Sequence, residues 1–170
     1  MCGIAGIVSR EPLSEIEAAI GRMIGAQHHR GPDGSGWTAI PLSGSGAHLA
    51  LGHNRLSILD LSAAANQPMA DAATGSWLVY NGELYNFREL RHDLEARGCV
   101  FQSSGDTEVL LHALIQWGED ALPRFRGMYA FAFWDGRRQR LLLARDPFGI
   151  KPLFYGRSDR AIVRGSDTAP

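Results

Sequence analysis

The sequence lacks the features that mark membrane, nucleic-acid-binding and disulfide-rich secreted proteins. No apolar run approaches the ~18 residues of a membrane span, and the N-terminus has no charged-then-apolar signal pattern. The net charge is −1, and basic residues do not cluster with aromatic ones as they do in nucleic acid sites. Only two cysteines occur, Cys2 and Cys99, which is typical of a reducing compartment. We therefore expect a cytoplasmic protein that binds neither membranes nor nucleic acids.

Common catalytic and metal-binding motifs are also absent. The sequence has no Gly-x-x-x-x-Gly-Lys phosphate loop, no His-Glu-x-x-His, no Gly-x-Ser-x-Gly and no Cys-x-x-Cys. The histidines do not follow a zinc-ligand spacing, and we interpret them as loop and strand residues without a function. No metal site is predicted.

The 170 residues suffice for one domain with a substantial core. About three helices and six to eight short strands are predicted, in blocks that do not alternate strictly, which favours an α+β fold with a mostly antiparallel sheet. Capping boxes at Ser14 with Glu17 and at Asn86 with Glu89 predict the starts of two helices. Asp106 or Thr107 is expected to cap a third.

Cys2 is the first residue whose position indicates chemistry. If Met1 is removed, this residue carries both a thiol and a free α-amine. An α-amine with an unperturbed pKa of about 7.7–8.0 can accept the thiol proton near neutral pH. This arrangement resembles a threonine nucleophile activated by its own amine. A cysteine at position 2 by chance is the alternative.

Asn81 and Gly82 follow a predicted strand, and two interpretations are open. The side-chain amide of Asn81 and the backbone N–H of Gly82 offer two donors to an oxyanion. The same dipeptide is also the commonest tight hairpin turn.

Three charged residues have the chemistry to hold a free amino acid. Arg55 offers a planar guanidinium to an α-carboxylate, and Glu83 and Asp106 offer acceptors to an α-ammonium. The alternatives are a surface ion pair for Arg55, a solvated side chain for Glu83 and a helix N-cap for Asp106.

In combination, these segments resemble the N-terminal glutaminase domain of glutamine-dependent asparagine synthetases. Those enzymes are class II glutamine amidotransferases with the N-terminal-nucleophile hydrolase fold. The matching segments occur in the family's order and are 1–6, 29–33, 55–60, 67–69, 81–86, 105–108, 126–131 and 144–153. The resemblance covers residues 2 to about 155 and weakens from Ser158 to Pro170.

The resemblance implies an αββα sandwich of four layers, formed by residues 2–170 as a single domain. It implies that Cys2 attacks the glutamine side-chain amide and forms a glutamyl thioester, with Asn81 and Gly82 as the oxyanion hole. The glutamine pocket implied by the family is formed by Arg55, Ile58, Asn81, Gly82, Glu83 and Asp106. No cofactor is implied for this domain, because ATP and Mg²⁺ belong to a synthetase domain whose Ser-Gly-Gly-x-Asp-Ser loop is absent here.

The expected function is therefore hydrolysis of glutamine to glutamate and ammonia for a synthetase domain or subunit. Two alternatives remain open at this point. One is an N-terminal-cysteine amidase for a different amide, and the other is a non-catalytic glutaminase-like module that only docks onto a synthetase.

Overall fold

The computed structural model describes residues 1–158 and 161–165. Its helices are α1 (Leu13–Ala26), α2 (Phe87–Glu95) and α3 (Asp106–Trp117). Its strands are β1 (Gly3–Ser9), β2 (Gly34–Leu42), β3 (Ala47–Arg55), β4 (Met69–Asp71), β5 (Ser76–Leu84), β6 (Gly127–Asp135), β7 (Arg140–Arg145), β8 (Phe154–Arg157) and β9 (Ala161–Gly165). No helix within the described ranges is long and apolar enough to cross a membrane.

The strands form two antiparallel sheets. The first has the order β2-β3-β1-β9-β8 and the second has the order β4-β5-β6-β7. Strand β1 lies at the centre of the first sheet, where it pairs with β3 and β9. The predicted α+β class with antiparallel sheets is confirmed.

Alternation along each strand divides the core into three layers, because successive side chains point to opposite faces of a sheet. The inter-sheet layer contains Ile4, Leu49, Leu51, Val79, Ala130, Ala132 and Trp134. Helix α1 covers the outer face of the first sheet through Ile16, Ile20 and Ile24. Helices α2 and α3 cover the outer face of the second sheet, where they pack on Leu78, Tyr80, Phe131 and Phe133. The layers are therefore helix, sheet, sheet and helix, as the resemblance implies.

The structure corrects two of the three predicted helix starts and confirms the position of the third, at Asn86. Helix α1 begins at Leu13 after Pro12 and has no side-chain cap, so Ser14 does not cap it. Asn86 does precede α2, but its side chain bonds the backbone of Arg124 and Arg126 instead. Helix α3 is preceded by Gly105, and neither Asp106 nor Thr107 is its N-cap. In each case the capping side chain is unused or bonds a more distant part of the chain.

Strand β9 lies where the family resemblance implies a further strand. It falls in the region where the resemblance weakens, and it pairs with Ala5–Ser9 of β1 as well as with β8. Its short sequence has no alternation of apolar and polar residues, so its position follows from the pairing surface that β1 offers.

Candidate active site

A cavity of about 270 Å³ opens at one end of the two sheets. The predicted site residues all line it, and they are Cys2, Arg55, Ile58, Asn81, Gly82, Glu83 and Asp106. Strand alternation explains part of this convergence. Cys2 is two residues before the inward-facing Ile4, and Asn81 is two residues after the inward-facing Val79. Both side chains therefore point into the space between the sheets.

The Cys2 thiol lies beside the loop that follows β3. Its Sγ accepts a hydrogen bond from the Leu56 N–H at 3.4 Å and lies 3.7 Å from the Leu56 carbonyl oxygen. The carbonyl of Cys2 accepts a bond from Arg30 Nε at 3.3 Å. Met1 also lines the cavity, so its removal would place the α-amine of Cys2 beside the thiol.

Asn81 presents a buried donor to this cavity. The residue is 2% exposed, and its Nδ2 has no hydrogen-bond partner among the described residues. A buried amide donor without a partner is costly, at roughly 1–3 kcal/mol. The cost is recovered if a ligand oxygen binds there.

Gly82 occupies a position in β5 that has no room for a side chain. A Cβ there would lie 2.3 Å from the Met128 carbonyl oxygen and 2.8 Å from the Tyr129 Cα. Asn81 and Gly82 pair with Ala130 and Tyr129 in the middle of the β5–β6 ladder. The hairpin-turn interpretation is therefore wrong, and the glycine is explained by close strand packing.

Arg55 lies at the end of β3 and bonds the loop between residues 56 and 66. Its guanidinium donates to the Ser62 carbonyl at 2.9 Å, to Asn66 Oδ1 at 2.7 Å and to the Asp60 carbonyl. The surface-ion-pair alternative is wrong, because these acceptors are uncharged. A guanidinium has five N–H donors, so donors remain for a ligand while Arg55 stabilises the loop that carries Ile58.

Asp106 reaches the cavity from the first turn of α3. Its Oδ2 accepts bonds from the Tyr80 hydroxyl at 2.8 Å and from the Leu84 N–H at 2.9 Å. Burial raises the pKa of Asp106, although these two bonds oppose the change. The N-cap interpretation is wrong, since Gly105 is the N-cap residue of α3 and the Asp106 carboxylate bonds β5.

Glu83 is half-buried at the cavity wall. Its carboxylate has no hydrogen bond to any of the residues in 1–158 and 161–165. It is therefore available to a cationic group in the cavity.

Comparison with known proteins identifies the family. A family model described as "Glutamine amidotransferase domain" matches residues 1–169. The chain belongs to this family.

Two curated relatives are longer proteins that contain a region similar to this chain. The chain is 40% identical over 171 residues to "Asparagine synthetase [glutamine-hydrolyzing] 3" of Bacillus subtilis, a match that covers 98% of this chain and 26% of the relative. It is 36% identical over 170 residues to "Amidase chry2" of Gibberella zeae, which covers 91% of this chain and 24% of that protein. The chain therefore spans about a quarter of the length of these relatives.

Solved structures agree with this family and with the fold. The chain matches the glutamine phosphoribosylpyrophosphate amidotransferase from B. subtilis with a TM-score of 0.78 and 28% identity, over 98% of this chain and 42% of the other. A second match, described as the allosteric regulatory enzyme of purine biosynthesis, has a TM-score of 0.79 and 26% identity, with the same coverage.

The structure also adds Gln67 as a site residue that the sequence interpretation missed. Gln67 Oε1 accepts a bond from the Tyr80 N–H at 2.6 Å, and Gln67 Nε2 donates to Thr107 Oγ1 at 3.4 Å. Gln67 therefore ties the cavity loop to both β5 and α3. It lies in a segment that matches the family, but nothing in its spacing indicated this role.

A buried histidine lies behind the cavity wall. His53 is fully buried, and burial lowers its pKa to about 4. The ring is therefore neutral at pH 7 and donates from Nε2 to the Tyr80 carbonyl, 3.2 Å away. Its role in the described structure is to support β5 beneath Asn81. Within the described ranges, no group of three or more His, Cys, Asp or Glu residues could hold a metal ion.

Proposed function

We propose that this domain hydrolyses the side-chain amide of glutamine to glutamate and ammonia, with Cys2 as the nucleophile. The observation that carries the proposal is the buried, unpartnered amide of Asn81 in the same cavity as the Cys2 thiol. A donor in this state matches the need of acyl transfer for a preorganised group at the developing oxyanion.

The reaction proceeds in two steps. After Met1 removal, the α-amine of Cys2 accepts the thiol proton and Sγ attacks the amide carbon. The oxyanion accepts hydrogen bonds from Asn81 Nδ2 and the Gly82 N–H. The C–N bond then breaks, the nitrogen takes the proton from the α-amine, and ammonia leaves a glutamyl thioester. Water attacks the thioester, and glutamate and the free thiol are released.

The amino acid end of glutamine fits the opposite part of the cavity. Arg55 has donors for the α-carboxylate, and Asp106 and Glu83 have acceptors for the α-ammonium. The backbone around Ile58 lies on the loop that Arg55 stabilises. Together these groups favour a free amino acid over an amide without charged ends.

The ammonia produced here is proposed to serve a synthetase domain or subunit that amidates an acid of the aspartate type. This proposal is supported by the relative named a glutamine-hydrolysing asparagine synthetase, of which the chain spans about a quarter. ATP and Mg²⁺ are then needed by the synthetase alone, and the amidotransferase domain needs no cofactor. A cytoplasmic location fits this role.

The test is glutamate formation by the purified chain after mass spectrometry has confirmed Met1 removal. We expect glutamate from the wild type and none from Cys2→Ala. Asn81→Ala should lower kcat by about 10²–10³, whereas Asn86→Ala, which removes an amide outside the cavity, should keep the rate. A full rate in Asn81→Ala would remove that residue from the oxyanion hole.

Substrate screening addresses the alternatives. Asparagine and larger amides are compared with glutamine, because one relative is named an amidase. Faster turnover of another amide would replace glutamine as the substrate. No turnover of any amide by folded, Met1-free protein would support a non-catalytic docking module.

A further inference from the structure

Lys151 is the only lysine of the sequence, in which the other 16 of the 17 basic Lys and Arg residues are arginines. The residue is only 7% exposed and lines the same cavity as Cys2 and Asn81. Lysine is rarely buried to this extent without a partner.

The loop that carries Lys151 is held rigidly by Asp146. The Asp146 carboxylate accepts bonds from the N–H groups of Phe148 at 3.1 Å, Ile150 at 2.9 Å and Lys151 at 3.0 Å. Gly149 has a φ of +65°, a conformation that favours glycine. The loop therefore presents Lys151 in a defined place.

The same residue fixes the loop to β6, the strand that pairs with the proposed oxyanion residues of β5. Asp146 accepts a bond from the Tyr129 N–H at 3.2 Å, and the Asp146 N–H donates to the Tyr129 carbonyl at 2.7 Å. Tyr129 is the direct partner of Gly82 across the β5–β6 ladder. Lys151 is therefore connected, through Asp146 and Tyr129, to the backbone of Gly82.

The side-chain ammonium of Lys151 has no hydrogen bond or ion pair within residues 1–158 and 161–165. Two of the cavity carboxylates are engaged with other partners: Asp60 accepts from Ser62 and Ser104, and Asp106 accepts from Tyr80 and Leu84. Glu83 is the remaining carboxylate of the cavity wall. The ammonium nitrogen is not among the buried side-chain atoms that lack a partner, so it reaches the open space of the cavity. A cation in this position attracts negative charge that develops beside it.

We propose that Lys151 contributes a positive charge to the reaction cavity, which stabilises the Cys2 thiolate and the oxyanion formed from the substrate amide. This inference rests on the proposed function for the substrate, but the charge itself can be measured without any hydrolysis. In the reaction, Lys151 forms no covalent bond and transfers no proton. It acts through charge while Asn81 and Gly82 donate the hydrogen bonds.

The test compares alkylation of Cys2 by iodoacetate, an anion, with alkylation by neutral iodoacetamide. Rates are read for the Cys2 peptide by mass spectrometry, which separates it from Cys99. A nearby cation favours the anionic reagent. The ratio of the iodoacetate rate to the iodoacetamide rate should therefore fall by about 3- to 10-fold in Lys151→Met. Lys151→Arg should keep the ratio.

Two further variants control for charge and folding. Arg138→Met removes a cation beside Asp135, at the end of β6 about 20 Å from Met128, and should leave the ratio unchanged. Lys151→Gln is a second neutral variant that tolerates water in the cavity, and it should match Lys151→Met. A wild-type ratio in a folded neutral variant would overturn the inference.

Hydrolysis kinetics separate this inference from the proposed function. We expect Lys151→Met to lower kcat by about 10- to 100-fold with little change in KM. A raised KM with an unchanged kcat would instead place Lys151 at the α-carboxylate and overturn the proposal. If the wild type forms no glutamate while the alkylation ratio still depends on Lys151, the proposed function fails and the charge assignment stands.

Discussion

Substitution of Asp106 by asparagine would separate its role in glutamine binding from its role in the fold. The carboxylate uses Oδ2 for two structural bonds, from the Tyr80 hydroxyl and the Leu84 N–H. The oxygen of asparagine can accept both. The other group becomes a donor, which cannot accept a bond from the α-ammonium of glutamine.

The expected effect is a loss of affinity. A hydrogen bond to a charged group contributes about 1.5–3 kcal/mol, which corresponds to a KM for glutamine raised roughly 10- to 150-fold. The value of kcat should change little, because Asp106 does not contact the reacting amide in the proposed pose. Glutamate formation at varied glutamine concentration measures both constants.

The pH dependence gives an independent check. Burial raises the pKa of Asp106 in the folded protein, so its carboxylate becomes protonated at a higher pH than an exposed one. As pH falls through that raised pKa, the wild-type KM should rise towards that of Asp106→Asn. The KM of the variant should not show this rise at low pH.

Urea unfolding of Asp106→Asn distinguishes a loss of binding from structural damage. A carboxyl group whose pKa is raised by folding destabilises the folded state once it is ionised, so stability falls as pH rises through the shifted pKa. Asp106→Asn should therefore unfold at an equal or higher urea concentration at pH 7. A lower midpoint would mean that the KM effect comes from structural damage.

Glu108→Gln is the matched control. Glu108 is a buried carboxylate in the same helical turn that accepts bonds from Gln102 and Ser103, and it does not line the cavity. Its substitution should lower stability without a selective rise in KM. A comparable KM change in this variant would argue against Asp106 as the ammonium site.

Three further predictions concern the packing and electrostatics around the cavity. Gly82→Ala should reduce kcat by at least about 10²-fold, since its Cβ meets β6 backbone and displaces the oxyanion N–H; near-normal kcat would show that β5 can shift without harm. His53 is neutral in the folded protein down to about pH 4 but titrates near 6.5 when unfolded, so stability should fall by about 2 kcal/mol from pH 7 to pH 5. In urea unfolding, His53→Gln should not show this fall in stability between pH 7 and pH 5. If the variant loses as much stability as the wild type, the pH dependence comes from other groups. Burial alone would raise the pKa of Asp146, but backbone N–H donors hold that pKa below its ordinary value. The ionised carboxylate therefore stabilises the folded protein at neutral pH, and this stabilisation is lost as pH falls through the lowered pKa. Asp146→Ala should therefore cost about 2–4 kcal/mol in urea unfolding at pH 7, a difference that shrinks in acid; a constant difference would exclude the charge as its source.

The sequence alone determined the nucleophile candidate and the residue types of the pocket. Cys2 stands directly after Met1, and the ordered motifs around Asn81, Arg55 and Asp106 specify the family because each is set by local residue identity. The helices and most strands also follow from local apolar periodicity. Strand β9 does not, because its position depends on pairing with β1.

At several residues two local interpretations are possible, and long-range contacts select between them. Asn81 and Gly82 read locally as a turn, but pairing with β6 places them within a strand. Asp106 reads locally as a cap, but its carboxylate bonds β5, more than 20 residues away along the chain. Lys151 reads as an ordinary basic residue until the Asp146 loop buries it at the cavity. Sequence patterns report local preference, whereas partner, burial and electrostatic environment are set by segments that meet only when the two sheets pack.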